Sequence, residues 1–318
     1  MSAILVAHRY SECLRWALER LRAQTTAAEL ECVIVAPTRA AVEDGLEAIR
    51  ELCGCQVIEH ALDDWGAAKA AGVRAARAPL VVFMEDHSYP DPGWAEALIQ
   101  AHERGDFAAV GPVVWNANPA TSISWGCFLV YYGQYMRALP PEMVRHLPGN
   151  QSCYRRELLL EYGSRLADVL QAEIVLHHEL LAEGKSLCQE PAAKVRHLNY
   201  SRIGPAMQEY FLASRVFAAE RRRPWSRFRI AVYAAGSILL PLIRLKRILA
   251  ETLQAGLKAR ILAGACGPAL LILCAGAAGE MLGYALGPGR AKESLMRFEA
   301  ERDSGFTRQD LEAIVLHV

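Results

Sequence analysis

The sequence has no excess of charge of either sign, since its 318 residues include 35 Lys or Arg and 35 Asp or Glu. This balance excludes a globally basic nucleic-acid-binding protein, and we expect no nucleic-acid partner. The hydrophobic fraction of 53% excludes an intrinsically disordered chain. The 9 cysteines form no Cys-x-x-Cys pair, which disfavours a zinc ribbon or a disulfide framework. We therefore expect reduced thiols in a cytoplasmic protein.

Long apolar runs are scarce in the first 200 residues. The N-terminal run, residues 3–7, is too short for a signal peptide and predicts a buried strand. Further short apolar runs alternate with helical patterns, and they lie at residues 32–36, 57–59, 80–84 and 110–115. This alternation predicts an α/β fold with a mostly parallel, doubly wound sheet, whose ligands bind at the carboxyl ends of the strands. Residues 116–150 are predicted to be an irregular binding-loop region.

The zero net charge conceals a strong asymmetry along the chain. Residues 1–200 contain 18 basic and 25 acidic residues, whereas residues 201–260 contain 12 basic and 3 acidic ones. Uncharged runs at 230–243 and 261–279 adjoin this basic segment, but a spanning helix needs about 20 apolar residues. We predict that residues 221–286 contact the cytoplasmic face of a membrane as an interfacial or re-entrant helical hairpin. A spanning pair of helices and a soluble helical subdomain or oligomer contact are the alternatives.

The strongest chemical signal follows the run at 80–84. Glu85, Asp86 and His87 place two carboxylates and an imidazole at a strand end, ahead of Pro92-Gly93-Trp94. Such a set can bind a divalent cation that bridges the phosphates of a nucleotide-linked donor and stabilises a leaving diphosphate. We expect Mn²⁺ or Mg²⁺, with His favouring the softer Mn²⁺. A solvated turn whose Asp and His cap a helix is the alternative.

Four further motifs occur in the chain, and their order and spacing, taken with residues 85–94, are typical of one enzyme family. They are Gly66–Gly72, Gly149–Arg156, Glu173-x-x-Leu176-x-x-x-Leu180-x-x-x-Gly184 and Pro191-x-Ala193-x-Val195-x-His197. Together with residues 85–94, they make the chain resemble the family 2 glycosyltransferases from residue 3 to about residue 217. The resemblance implies a Rossmann-like GT-A fold in residues 1–217, followed by a helical, membrane-associated tail in residues 218–318. It also implies metal-dependent, inverting transfer of a sugar from a nucleotide sugar to a hydroxyl of a glycan or a lipid-linked acceptor.

The resemblance and the local patterns assign residue roles. Glu173 is the predicted catalytic base, and the alternative is a surface carboxylate in the first turn of a helix. The predicted metal ligands are Glu85, His87 and His197. The predicted nucleotide-sugar-binding residues are Ala7, Arg9, Pro37, Asp64, Lys69, Glu85 and Asp86. The predicted acceptor-binding residues are Trp115, Asn116, Asn150, Arg155 and His177. His177 is included because it lies four residues after Glu173, on the same helix face.

Two departures from the family pattern leave a second function open. The usual Asp-x-Asp is Glu85-x-His87 here, and the second strand ends in Ala36-Pro37-Thr38, where the family has a base-reading carboxylate. The alternative function is a catalytically degenerate, membrane-associated sugar- or partner-binding protein of the same fold. A nucleotidyltransferase would need a Gly-rich phosphate loop after the first strand, and residues 8–11 do not supply one.

Overall fold

The computed structural model describes residues 1–49, 52–171, 173–223 and 225–316. The strands are β1 (Ser2–Val6), β2 (Glu31–Ala36), β3 (Gly54–Glu59), β4 (Leu80–Met84), β5 (Ser88–Pro90), β6 (Phe107–Asn116), β7 (Cys153–Arg155) and β8 (Ser186–His197). The α-helices are α1 (Glu12–Arg22), α2 (Glu43–Leu46), α3 (Trp65–Ala75), α4 (Trp94–Arg104), α5 (Ser122–Tyr132), α6 (Arg156–Leu160), α7 (Leu166–Leu170), α8 (Glu173–Ala182), α9 (Ile203–Arg221), α10 (Arg227–Gly236), α11 (Leu240–Gln254), α12 (Ala259–Leu286), α13 (Ala291–Ala300) and α14 (Arg308–Leu316).

The strands form one sheet in the order β3-β2-β1-β4-β7-β6-β8-β5. The first four strands are parallel, with Ile4 of β1 opposite Val33 of β2 and Phe83 of β4. Beyond β4, the pairs β4–β7, β6–β7 and β5–β8 are antiparallel. The four parallel strands match the predicted doubly wound sheet. The antiparallel pairs make the sheet as a whole mixed. Short apolar runs locate strands but do not fix their direction, which depends on the path of the connections.

The core around β1 and β2 follows from their apolar sequences. Ile4 and Val33 are buried, and α1 packs its leucines inward after Ser11 caps it by accepting a hydrogen bond from the Leu14 amide at 3.1 Å. Gly72 lets α3 approach the sheet closely, because a Cβ there would lie 2.5 Å from Cγ2 of Ile4. These contacts fix the sheet edge at which β1, β2 and β4 end.

The chain divides into two compact units, and their bounds differ from the predicted division at residue 217. The first unit contains residues 1–115 and 137–197, and the second contains residues 116–136 with the described residues from 198 onward. Within the second unit, α5 packs against α12, where a Cβ on Gly126 would lie 2.7 Å from Cβ of Pro268. The segment 122–132 is therefore a helix and not part of an irregular loop. Its helical packing partner lies far away in the sequence, so local pattern alone did not reveal it.

Two stretches of the second unit are long and apolar enough to cross a membrane by length and composition. They are Arg227–Gln254, which contains α10 and α11, and Ala259–Leu286, which is α12. α12 packs tightly on α9, because Gly279 and Gly283 lie against the backbone of Phe211 and Arg215. A Cβ on Gly279 would lie 2.2 Å from the carbonyl oxygen of Phe211. By contrast, α10 and α11 expose several large apolar side chains, among them Phe228, Leu242 and Ile243.

Candidate active site

The predicted metal ligands meet at the carboxyl end of β4. Glu85 and His87 follow this strand, and the antiparallel pairing of β5 with β8 sets Ser88 opposite His197. One ligand atom from each of Glu85, His87 and His197 lies within 4.8 Å of the others. Nε2 of His197 is 3.2 Å from Oε2 of Glu85, and Nε2 of His87 is 3.9 Å from the same oxygen. The sheet register thus brings together ligands that are distant in the sequence.

The chemistry of this set suits a divalent cation. One carboxylate and two imidazoles can ligate a divalent cation, and the imidazole nitrogens favour a softer cation than Mg²⁺. Both histidines are buried, at 3% and 6% exposure, so the site excludes most water. Nδ1 of His87 donates to Oδ1 of Asp86 at 2.8 Å, which leaves the lone pair of Nε2 directed to the site. Asp86, predicted to bind the nucleotide sugar, therefore orients a predicted metal ligand.

Glu173, the predicted base, begins α8 and is held by Lys69 from α3. Nζ of Lys69 donates to Oε1 of Glu173, and the two side chains are only 10% and 14% exposed. Nζ of Lys69 also lies 5.6 Å from the centre of the Phe83 ring. The first turn of α3 is fixed next to the start of α8, because the Gly66 amide donates to Oε1 of Gln171 at 3.0 Å. The structure thus joins Lys69 to Glu173, a pairing that the sequence analysis did not foresee.

A short 3₁₀ turn, Gly149–Gln151, lies between Glu85 and Glu173. Nδ2 of Asn150 donates to Oε1 of Glu85 at 2.7 Å. The α-carbon of Gly149 lies so close to Glu173 that an added Cβ would be 2.6 Å from its Oε2. Adjacent residues of one turn therefore contact the metal-ligand carboxylate and the predicted base.

The remaining nucleotide-sugar predictions fall at one edge of the sheet. Ala7 follows β1 and is buried, whereas Arg9 and Pro37, after β1 and β2, are exposed. Asp64 caps α3, since its Oδ1 accepts a hydrogen bond from the Ala67 amide at 2.9 Å. Trp65 was not among the predicted residues, and its ring makes an edge contact with His8 at 5.6 Å between centres. An aromatic residue directly after the predicted Asp64 was the available signal.

The predicted acceptor residues do not form one cluster. Trp115 is 40% exposed, but Asn116 is buried in the second unit, where it exchanges hydrogen bonds with Ser124. The guanidinium of Arg155 donates to the carbonyl oxygens of His102, Gly105 and Phe107 at 3.3–3.5 Å. Asn116 is thus enclosed in the second unit, whereas the side chain of Arg155, at 43% exposure, and Trp115 both keep accessible surface for a ligand.

His177 lies in the core and is not at the acceptor side. It is fully buried, and its ring stacks on Tyr154 with Nε2 2.8 Å from the phenol oxygen. The Leu147 amide donates to Nδ1 at 3.4 Å, so the ring is neutral with its proton on Nε2. Burial lowers the pKa of His177 to about 3. The spacing of four residues from Glu173 is real, but burial of this part of α8 removes His177 from any acceptor.

The family model for glycosyl transferase family 2 matches residues 2–163, which is half of the chain. The chain belongs to glycosyl transferase family 2. Together with the sheet, this family match confirms the predicted Rossmann-like GT-A fold followed by a helical region. The family 2 match includes Lys69, residues 85–87 and the 149–151 turn, whereas Glu173 and His197 lie beyond the matched residues.

No curated protein matches this family 2 glycosyltransferase. Among solved structures, it is similar to GalNAc-T7 crystallised with UDP, GalNAc and Mn²⁺. The alignment covers 62% of this chain and 42% of that chain, with 13% sequence identity and a TM-score of 0.46. The chain thus spans less than half the length of that protein.

Proposed function

We propose that this family 2 glycosyltransferase moves a sugar from a nucleotide-sugar donor to a hydroxyl of a glycan or lipid-linked acceptor, with inversion. The observation that carries the proposal is the 149–151 turn, which contacts Glu85 of the metal-ligand set and Glu173. A cation site and a carboxylate on either side of one turn provide the two groups that single displacement needs.

In the proposed reaction, the residues of the site would have separate roles. Glu85, His87 and His197 hold the cation, which, when bound, neutralises charge on the donor diphosphate. Glu173 accepts the proton of the acceptor hydroxyl as its oxygen bonds to the anomeric carbon and the bond to the diphosphate oxygen breaks. General-base assistance of this kind contributes about 10²–10⁴-fold. Lys69 fixes the orientation of the Glu173 carboxylate through their ion pair.

The donor and acceptor would occupy different parts of the sheet edge. We place the nucleotide near Ala7, Arg9, Pro37 and Asp64, at the ends of β1 and β2 and the start of α3. Trp115, a residue that is 40% exposed, can stack its ring on the apolar face of an acceptor sugar.

The test of catalysis is a Glu173→Gln variant, measured as sugar transfer or donor hydrolysis with Mn²⁺ and a panel of nucleotide sugars. We expect kcat to fall about 100-fold or more, because the amide cannot accept the proton. Glu179→Gln, on the same helix, is the matched control and should keep wild-type activity. Binding of nucleotide sugars without turnover of any donor would favour the degenerate binding protein instead, which the carboxylate-free end of β2 motivates.

We also propose that residues 221–286 place the enzyme at the cytoplasmic face of a membrane. Seven large apolar side chains of α10, α11 and the turn between them are 50–79% exposed, and we name them the apolar stripe. They are Phe228, Val232, Ile238, Leu239, Leu242, Ile243 and Leu253. Exposed arginines Arg223 and Arg227 precede this stripe, and the exposed residues Arg229, Lys246 and Arg247 lie between its members in the sequence. Cationic groups beside an apolar face suit an anionic lipid surface.

Both stretches are long enough to span, but the charges that interrupt the first and the packing of α12 favour insertion into one leaflet over a spanning pair. The uncharged run 230–243 would be about 21 Å long as a helix, shorter than the ~30 Å hydrocarbon core. α12 is packed along one side against α9, which carries the buried ion pair of Glu209 with Arg302 at 2.7 Å. Trp225 at the start of α10, with the Arg229 guanidinium 4.2 Å from its ring centre, suits the interfacial layer.

A further inference from the structure

The two oxygens of Glu85 are both held by the 149–151 turn. Asn150 donates Nδ2 to Oε1 at 2.7 Å, and Gln151 donates Nε2 to Oε2 at 3.2 Å. Consecutive amide side chains therefore each hold one oxygen of the same carboxylate. A carboxylate held at both oxygens cannot rotate about its terminal bond without breaking a hydrogen bond.

The side chain of Gln151 is itself held in place by burial and by Ser88. Its side chain is fully buried, and Nε2 lies 2.6 Å from Oγ of Ser88. The Ser88 hydroxyl in turn donates to Oε2 of Glu85 at 3.2 Å. Ser88, Gln151 and Glu85 thus form a closed ring of hydrogen bonds at the start of β5, where Ser88 is paired with His197.

Three side chains donate to the Glu85 carboxylate: Asn150 to Oε1, and Gln151 and Ser88 to Oε2. Each carboxylate oxygen has two lone-pair sites, and the amides occupy part of this capacity. Oε2 also faces Nε2 of His197 at 3.2 Å, which is the side on which a shared cation would bind. Residues that orient a metal-binding carboxylate raise the affinity of the site by removing unproductive orientations.

We propose that Asn150 and Gln151 are positioning residues that hold Glu85 in its metal-binding orientation. This inference rests on the proposed cation site, and it gives Asn150 a role other than the predicted binding of the acceptor. It adds Gln151 and its support, Ser88, to the groups that determine metal affinity. Neither amide takes part in proton transfer or contacts the reacting atoms in this role.

The experiment measures Mn²⁺ binding to the full chain by the electron paramagnetic resonance signal of free Mn²⁺, with no nucleotide present. Gln151→Met keeps the length of the side chain and removes both amide donors. We expect the Mn²⁺ dissociation constant to rise about 10–100-fold. Asn150→Ala should raise it in the same direction, because Oε1 of Glu85 loses its donor.

Gln189→Met is the matched control. Gln189 is also a buried glutamine of the first unit, and its Nε2 donates to the carbonyl oxygen of Pro112 at 3.3 Å, away from Glu85. Its variant should lose a similar amount of thermal stability and keep wild-type Mn²⁺ affinity. Wild-type affinity in Gln151→Met would overturn the positioning role while leaving the metal site intact. An absence of Mn²⁺ binding in the wild-type chain would overturn the proposed metal site and this inference with it.

Discussion

At the scale of single residues, charge and burial decide which predicted groups are available to a ligand. Glu85, His87 and His197 converge, and Asp86 orients His87. His177 has the right spacing from Glu173 but lies in the core. A sequence shows the types of residue and their spacing along a helix, whereas burial depends on what packs on that helix.

His177 gives a prediction about pH. Burial lowers its pKa to about 3, so the folded protein binds fewer protons than the unfolded chain below the ordinary value of 6.5. The contribution of neutral His177 to the free energy of unfolding is complete above pH 6.5 and is lost as pH falls from there toward 3. Each pH unit in this window should cost about 1.4 kcal/mol per such group.

The measurement is the free energy of unfolding of wild type and of His177→Gln between pH 7 and pH 5. The variant should lose stability less steeply with acid, because its side chain does not titrate. His102, whose pKa burial lowers to about 4, acts in the same direction and remains in both proteins. Equal slopes for the two proteins would contradict the neutral, buried state of His177.

At the scale of elements, the 149–151 turn contacts both Glu85, a predicted metal ligand, and Glu173, the predicted base. A methyl group on Gly149 would lie 2.6 Å from Oε2 and 2.8 Å from Cδ of Glu173, which forces the carboxylate to move. We expect Gly149→Ala to lower kcat about 10–100-fold, since a displaced base loses alignment with the acceptor. Mn²⁺ affinity should stay close to wild type, because Asn150 and Gln151 keep their amides.

The contrast between the two readouts makes this variant informative. Turnover with the best donor and Mn²⁺ binding would be measured on the same preparation. If kcat stayed at the wild-type level, the contact between Gly149 and Glu173 would have no bearing on catalysis. Loss of Mn²⁺ affinity would show instead that the turn as a whole had shifted.

At the scale of the whole molecule, the balanced composition is the average of two unlike parts. An acidic N-terminal portion is offset by the basic segment 201–260, which contains the apolar stripe. The proposed membrane contact belongs to this scale, because the charged residues and the stripe act together.

The membrane proposal predicts flotation of the full chain with vesicles of phosphatidylcholine and phosphatidylglycerol. Replacing Leu239 and Leu242 by Asp should weaken binding about 100-fold or more, since each buried leucine contributes about 1.5–3 kcal/mol. Met143→Asp, an exposed apolar residue of the first unit, is the control and should bind like wild type. A dimer that dissociates in the double variant, with no vesicle binding by wild type, would assign the stripe to a second copy of the chain.

The sequence alone was enough to locate the early strands, to predict their parallel direction from the helices between them, and to show the residue types at their ends. Apolar runs and capping residues such as Ser11 act over a few residues, so they can be read locally. Which distant groups meet depends on the tertiary structure, because strand register and helix packing bring them together. It paired His197 with Glu85, joined Lys69 to Glu173, turned Asn150 toward Glu85 and buried His177.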